Sequence, residues 1–209
     1  MNIHWNILDV ERTNILPLLK QFSEQGFYLA GGTGLALQLG HRDSLDFDFF
    51  TKSDFNSAQL AEEIHHVFGA YSVLITQQET NTLSLTLDNS VQLSFLGYQY
   101  PILNEFVQTE FFPIASVEDI ACMKLSALLN RSVEKDYVDL YMILQQTPLR
   151  KLLSQAREKY PSIDTSLILK SLVYFDDIIQ EPILFKEGHE VSFEEVKRSL
   201  IKKVSEYVQ

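Results

Sequence analysis

Two aspartates two positions apart, Asp46 and Asp48, lie in the run Ser44-Leu45-Asp46-Phe47-Asp48-Phe49-Phe50, shortly after the pair Gly31-Gly32. Leu45, Phe47 and Phe49 alternate with Asp46, Asp48 and Phe50, so a strand here sends both carboxylates to one face, roughly 6.6 Å apart along the chain. Hard oxygen ligands at that spacing can grip one Mg2+ or bridge two. Aspartate is depleted in strands, and an apolar run of this kind is expected in a core, where a buried carboxylate pair needs a cation or a partner. The preceding segment, Phe27-Tyr28-Leu29-Ala30-Gly31-Gly32-Thr33, reads as a strand running into a glycine turn, with a short helix over 34–39. Glycine lets the backbone turn sharply and approach a ligand closely, and exposed N–H groups there suit a triphosphate. Taken singly, a Gly-Gly turn is often a plain connection and a D-x-D an exposed strand face. Together they point to nucleotide chemistry.

Further charged residues stand at suggestive spacings. Lys124 and Arg131 are seven residues apart and share a helix face with Leu128 between them, an arrangement that either aims two cations at a triphosphate or leaves two surface cations. Asp136 and Asp139, at i and i+3, also share a face, and Lys135 is placed to pair with Asp139 at i+4. Arg42, just before the carboxylate strand, either contacts a phosphate or orients Asp46. Basic residues recur at Arg150, Lys151, Arg157 and Lys159, and at Lys197, Arg198, Lys202 and Lys203. Both groups read as solvated helix faces balanced by neighbouring Glu.

The elements that must position these residues change character near residue 113. At 209 residues and 45% hydrophobic composition, the chain can bury one large core or two small ones. The first half reads as a helix over 17–24, strands over 27–30 and 45–50, and a helix over 56–68. Three more strands follow over 72–77, 82–87 and 91–96, with Asp88-Asn89-Ser90 as a turn. This is an α+β fold with a largely antiparallel sheet and flanking helices, spanning residues 1–113. Residues 114–209 read as all helix, opening on the capping-box pattern Ser116-Val117-Glu118-Asp119. Later helices are expected over 151–159, 165–179 and 192–208.

The single Cys122 cannot form an intramolecular disulfide or a multi-thiolate zinc site. A net charge of −11 argues against nonspecific attraction to nucleic acid, so any RNA contact must be local. No apolar run reaches membrane-spanning length and the N-terminus lacks a secretory h-region, so a cytoplasmic protein with no membrane partner is expected.

The segments Leu29-Ala30-Gly31-Gly32-Thr33, Gly40-His41-Arg42 and Ser44 to Phe50 closely resemble the nucleotidyl transferase AbiEii/AbiGii toxin family, a branch of the polymerase-β-like nucleotidyltransferases. Glu118 to Leu125, Arg131 and Lys135-Asp136-Tyr137-Val138-Asp139-Leu140-Tyr141 look like its helical motifs, in order. The resemblance implies a nucleotidyltransferase core over 1–113 and a helical domain over 114–209 closing a cleft over the nucleotide. It also implies a toxin of a type IV toxin–antitoxin system with a cognate antitoxin, an NTP donor, and tRNA as an acceptor used by some members. In those terms Gly31, Gly32 and Thr33 hold the triphosphate with Arg42, Lys124, Arg131, Lys135 and Asp139 as further nucleotide contacts. Asp46 and Asp48 coordinate Mg2+.

One departure accompanies the match. Polymerase-β-like sites carry a third carboxylate on a neighbouring strand, and on the strand over 91–96 the outward positions are Gln92 and Ser94. Either Asp136, the first choice, or Asp139 supplies the missing acid from the helical half, or the chain is a nucleotide-binding interaction module with little transferase activity.

Overall fold

The computed structural model describes residues 2–209, and the chain divides into two compact units. One runs to Tyr100 and includes Glu105–Ala115; the other comprises Pro101–Asn104 and Ser116–Gln209.

The first unit opens on a 3-10 turn at Trp5–Ile7 and then α1 at Val10–Glu24. The helix begins seven residues before the expected start at Pro17. Asp9 caps it, its carboxylate accepting the Arg12 amide at 2.9 Å. Pro17 in a helix interior costs about 3 kcal/mol, yet the helix runs through it because Ile15, Leu16, Leu19 and Phe22 on either side are buried. Burial outweighs propensity here.

The sheet contains β1 (Tyr28–Leu29), β2 (Asp46–Thr51), β3 (Val73–Glu79), β4 (Thr82–Leu87) and β5 (Val91–Gly97), in the order β1-β2-β5-β4-β3. Three pairings are antiparallel, and β2–β5 is parallel. Alternation sets the two faces. Phe47, Phe49, Leu83, Leu85, Leu93 and Phe95 enter a core shared with Leu19 and Phe22 of α1 and with Leu60 and Ile64 of α3 (Ser57–Val67). The opposite face carries Asp46, Asp48, Ser84, Gln92 and Ser94, all exposed or half-buried. The carboxylates therefore stand on the open face rather than in the core, and their desolvation does not by itself demand a cation, as the apolar run had suggested.

The second unit is helical: α4 (Val117–Ala127), α5 (Glu134–Leu144), α6 (Leu149–Lys159), α7 (Thr165–Leu172) and α8 (Phe193–Val208). Between β1 and β2, in the first unit, lies α2 (Gly31–Leu39). Instead of running to residue 179, α7 stops at Leu172. The buried Tyr137 hydroxyl of α5 reaches the Ser171 carbonyl at 3.1 Å and the Tyr174 carbonyl at 2.9 Å, taking over acceptors that another helical turn would use. No helix among the described residues is long and apolar enough to cross a membrane.

Candidate active site

The glycine pair forms the first turn of α2 rather than a loop ahead of it. Gly31 has φ +63, a backbone that side chains rarely adopt. A Cβ added there would lie 2.6 Å from Asp48 Oδ2. A Cβ added at Gly32 would lie 2.7 Å from Arg42 Nη2 and 3.4 Å from Ser44 Oγ. The side-chain space of the two glycines is thus taken by the Asp48 carboxylate and the Arg42 guanidinium. The Ala30 amide donates to the Asp48 carbonyl at 3.0 Å, tying the start of α2 to β2. Gly31, Gly32, Arg42 and Asp48 form one contiguous group, and Asp46 is exposed on the same face of β2.

Thr33 is turned away from that group. It is 1% exposed, and its hydroxyl lies 2.7 Å from Ser44 Oγ and donates to the Asp46 carbonyl. Those bonds fix the entry to β2 and commit the side chain that the resemblance would give to a triphosphate.

Parallel register places Gln92 opposite Asp46 and Ser94 opposite Asp48. The Ser94 hydroxyl is 3.3 Å from that of Ser84 on β4. The positions beside the two aspartates are therefore an amide and a hydroxyl. Among the described residues, no group of three or more His, Cys, Asp or Glu could hold a metal ion. Two carboxylates nonetheless fit Mg2+, which commonly takes one or two protein carboxylates and completes its shell with water and substrate phosphates.

Arg12, which the sequence reading passed over, supports this strand from behind. Its buried guanidinium donates from Nε to the Leu45 carbonyl and from Nη2 to the Ser90 carbonyl, each at 2.6 Å, and pairs with Asp9. It fastens the entry of β2 to the turn before β5. Its partners lie 33 and 78 residues away, and no local spacing signals them.

In the helical unit, the other predicted residues gather around Lys124. Its ammonium lies 2.7 Å from Asp136 Oδ1 and 2.6 Å from Asp139 Oδ2, all three side chains being buried. Arg131 Nε donates to Asp136 Oδ2 at 3.1 Å. Arg131 lies beyond the end of α4 at Ala127, so the two cations share no helix face; the segment after the helix brings Arg131 onto the carboxylate that Lys124 also meets. Asp136, expected as a base, has both oxygens engaged by these cations. Lys135 pairs with Glu181 at 2.9 Å rather than with Asp139, which Lys124 occupies.

A second buried pair organises the same unit. Lys159, expected on a solvated face, is 0% exposed and meets Asp119 Oδ1 at 2.8 Å. The same carboxylate accepts the amides of Leu103 and Asn104 at 3.1 and 3.0 Å and the Ser116 hydroxyl at 2.9 Å. Burial works to raise the Asp119 carboxyl, but the Lys159 ammonium, the Leu103 amide and the Ser116 hydroxyl outweigh it and hold it below the ordinary value. Burial pushes the Cys122 thiol up to about 12, with Lys159 opposing it.

The first unit thus presents a carboxylate pair on an open strand face, set against a glycine helix start and an arginine. The family model for the nucleotidyl transferase AbiEii toxin of type IV toxin–antitoxin systems matches residues 17–208, and the chain belongs to that family. Protein aq_aa25 of Aquifex aeolicus is 38% identical over 189 residues, 88% of each chain. MenT4, a nucleotidyltransferase toxin of Mycobacterium tuberculosis, superposes with TM-score 0.61 at 15% identity, covering 94% of this chain and 82% of its own. A putative nucleotidyltransferase of H. pylori gives 0.59 at 18% identity, covering 97% and 99%. These structural likenesses show a shared nucleotidyltransferase fold.

Proposed function

We propose that this toxin-family member transfers a nucleotide from an NTP to an acceptor hydroxyl, with tRNA as the first acceptor to test, in the cytoplasm and under control of a cognate antitoxin. The observation that carries the reading is the placement of Asp48 and Arg42 in the side-chain space of Gly31 and Gly32, beside Asp46 on one strand face. Asp46 and Asp48 would hold Mg2+. When bound, the ion would supply charge neutralisation for the α-phosphate and the pyrophosphate leaving group. The amides at the start of α2 would bind triphosphate oxygens, which suits the positive end of a helix, and Arg42, buried against Gly32 with its Nη1 on the Asp43 carbonyl, would hold that turn in place. Thr33 would act through the backbone it fixes rather than through its hydroxyl.

In the transfer the acceptor oxygen bonds to the α-phosphorus, the bond from that phosphorus to the β-bridging oxygen breaks, and pyrophosphate leaves. Gln92 and Ser94 are not bases, so the hydroxyl proton departs to water. We assign Asp136 the task of holding Lys124 and Arg131 in place, since its oxygens are already committed.

Ser94 in the place of an acid supports a second reading, a nucleotide-binding module that acts by partner binding. One experiment separates the two. The protein is incubated with each of the four labelled NTPs, total tRNA and Mg2+, and nucleotide affinity is measured by calorimetry with and without Mg2+. Labelled RNA that is lost with Asp48→Asn supports transfer. Mg2+-linked nucleotide binding with no labelled product supports the module. Absence of both overturns the site.

A further inference from the structure

The first unit contains a cleft of about 340 Å3, inside the roughly 300–1,000 Å3 range of small-molecule sites. It opens beside Gln25, just past the end of α1, and is bounded by the segment after β2 and by the first two turns of α3. None of its residues belongs to the Gly31–Asp48 group; of β2 it meets only Thr51, at the end of the strand opposite Asp46. Its floor is apolar. Phe27 and Leu60 are buried, and the half-buried Phe55 ring stands edge-on to Phe27 with centroids 5.3 Å apart.

Two carboxylates line the cleft with these rings, each set in place by side-chain amides. Asp54 Oδ1 accepts from Asn81 Nδ2 at 2.7 Å and from Gln99 Nε2 at 2.9 Å. Glu63 Oε1 accepts from Gln25 Nε2 at 2.6 Å. These bonds go to one oxygen of each carboxylate, which leaves Asp54 Oδ2 and Glu63 Oε2 for a ligand. The Phe55 amide donates to Asn81 Oδ1 at 2.7 Å, so one asparagine fixes both the aromatic residue and the carboxylate beside it.

The charge around the cleft has one sign. No Lys or Arg among the described residues lines it, and the sequence carries none from Ser53 to Met123, a stretch that includes Asp54, Glu62, Glu63, Glu79 and Asp88. Lys52, the cation next in sequence, is exposed and outside the cleft. The positive end of α3 is spent on its own cap, Asn56 Oδ1 accepting the Ala58 and Gln59 amides at 2.9 and 3.2 Å, so it does not turn the cleft toward an anion. Oriented carboxylates give charge-assisted hydrogen bonds to an ammonium or guanidinium, and an aromatic ring attracts the same groups. A hydrated metal ion would gain nothing from the phenyl floor, whereas an alkyl stem would.

We propose that this cleft binds an organic cation, a guanidinium or primary ammonium on a short alkyl stem, with the charged group at Asp54 and Glu63 and the stem against Phe27, Phe55 and Leu60. A free alkylamine and an arginine side chain of a partner protein present that same chemistry. In either case binding requires neither Mg2+ nor nucleotide and rests on none of the residues assigned to transfer.

The test is calorimetry on the full-length protein in EDTA at low salt, with 1,4-diaminobutane, agmatine and N-acetyl-argininamide as cations and 1,4-butanediol as the neutral counterpart. At least one cation is expected to bind about tenfold more tightly than the diol, the scale of one hydrogen bond to a charged group. Most of that advantage should be lost in about 1 M salt, where the screening length falls to about 3 Å. Glu63→Gln and Asp54→Asn should each weaken binding by about the same tenfold factor while circular dichroism stays unchanged, the new asparagine keeping an oxygen for Asn81 and Gln99. Asp46→Asn and Asp48→Asn should leave it intact, whether or not they abolish transfer. Binding of the argininamide alongside agmatine assigns the cleft to a partner's side chain, and binding of the free amines alone assigns it to a small molecule. The proposal is overturned if no cation binds at millimolar concentration, if the diol binds as tightly, if Glu63→Gln and Asp54→Asn change nothing, or if binding disappears with Asp48→Asn.

Discussion

Ser94 stands directly across the parallel β2–β5 pair from Asp48. A carboxylate there would be placed to share a cation with Asp48 and to take a proton from an attacking hydroxyl. Ser94→Asp is therefore expected to raise nucleotide transfer by about 10² to 10⁴, the usual contribution of a general base. The added negative charge beside Asp48 should also lower the thermal midpoint without Mg2+ and raise the gain when Mg2+ is added. Transfer assays and thermal melts with and without the ion check both parts, and an unchanged rate would remove Ser94 from the list of missing functions.

Gly31→Ala should cost stability and cation response together. The left-handed backbone is unfavourable to any side chain by about 1–2 kcal/mol, and the new methyl must displace the Asp48 carboxylate. Gly32→Ala has no such backbone penalty and pushes on Arg42 instead. Urea unfolding should therefore separate the two, with Gly31→Ala the less stable. Calorimetry should show Gly31→Ala losing the Mg2+-dependent part of nucleotide affinity, and Gly32→Ala losing affinity with or without Mg2+.

Asp136→Asn removes one charge from a buried cluster and leaves Lys124 with Asp139. Breaking a buried pair costs on the order of 3 kcal/mol. A drop of that size in chemical denaturation is expected, with Arg131→Ala costing much less because its side chain is exposed. Equal losses from the two substitutions would contradict the packing described.

The depressed Asp119 carboxyl gives a pH dependence of known sign. Its stabilisation is complete above the ordinary carboxylate range and is lost as pH falls through its lower folded value. Wild type and Asp119→Asn should therefore differ most at neutral pH and converge upon acidification below about pH 4. Urea unfolding across pH 3 to 7 measures the gap directly.

With its thiol pushed up to about 12 and no exposure, Cys122 stays protonated and shielded at neutral pH. A thiol reagent should leave the native protein unmodified and label one site after unfolding in urea. Rapid native labelling would mean that the core around α4 opens readily.

Local periodicity made much of this legible. The alternation through Asp46, Phe47, Asp48 and Phe49 placed the strand and both carboxylates on one face, and the Ser116 cap begins α4 where its pattern predicts. What escaped is long-range. Parallel pairing of β2 with β5, the Arg12 ties to Leu45 and Ser90, and the Asp119–Lys159 pair, 40 residues apart, leave no signature in a window of three or four positions. Thr33 and Pro17 sit differently from their local patterns for a related reason. Each residue type has a common local use, a ligand contact or a helix start, and tertiary packing assigned each another.

The segment Pro101–Asn104 belongs to the helical unit, held there by Asp119, while Glu105–Ala115 returns to the sheet unit. The backbone therefore changes unit after Tyr100, after Asn104 and again after Ala115. Neither half is a contiguous cassette. A chimera of two relatives spliced after Ala115 would take Pro101–Asn104 from one parent and the helices that receive it from the other, and one spliced after Tyr100 would part Glu105–Ala115 from its sheet, so no single junction exchanges a whole unit.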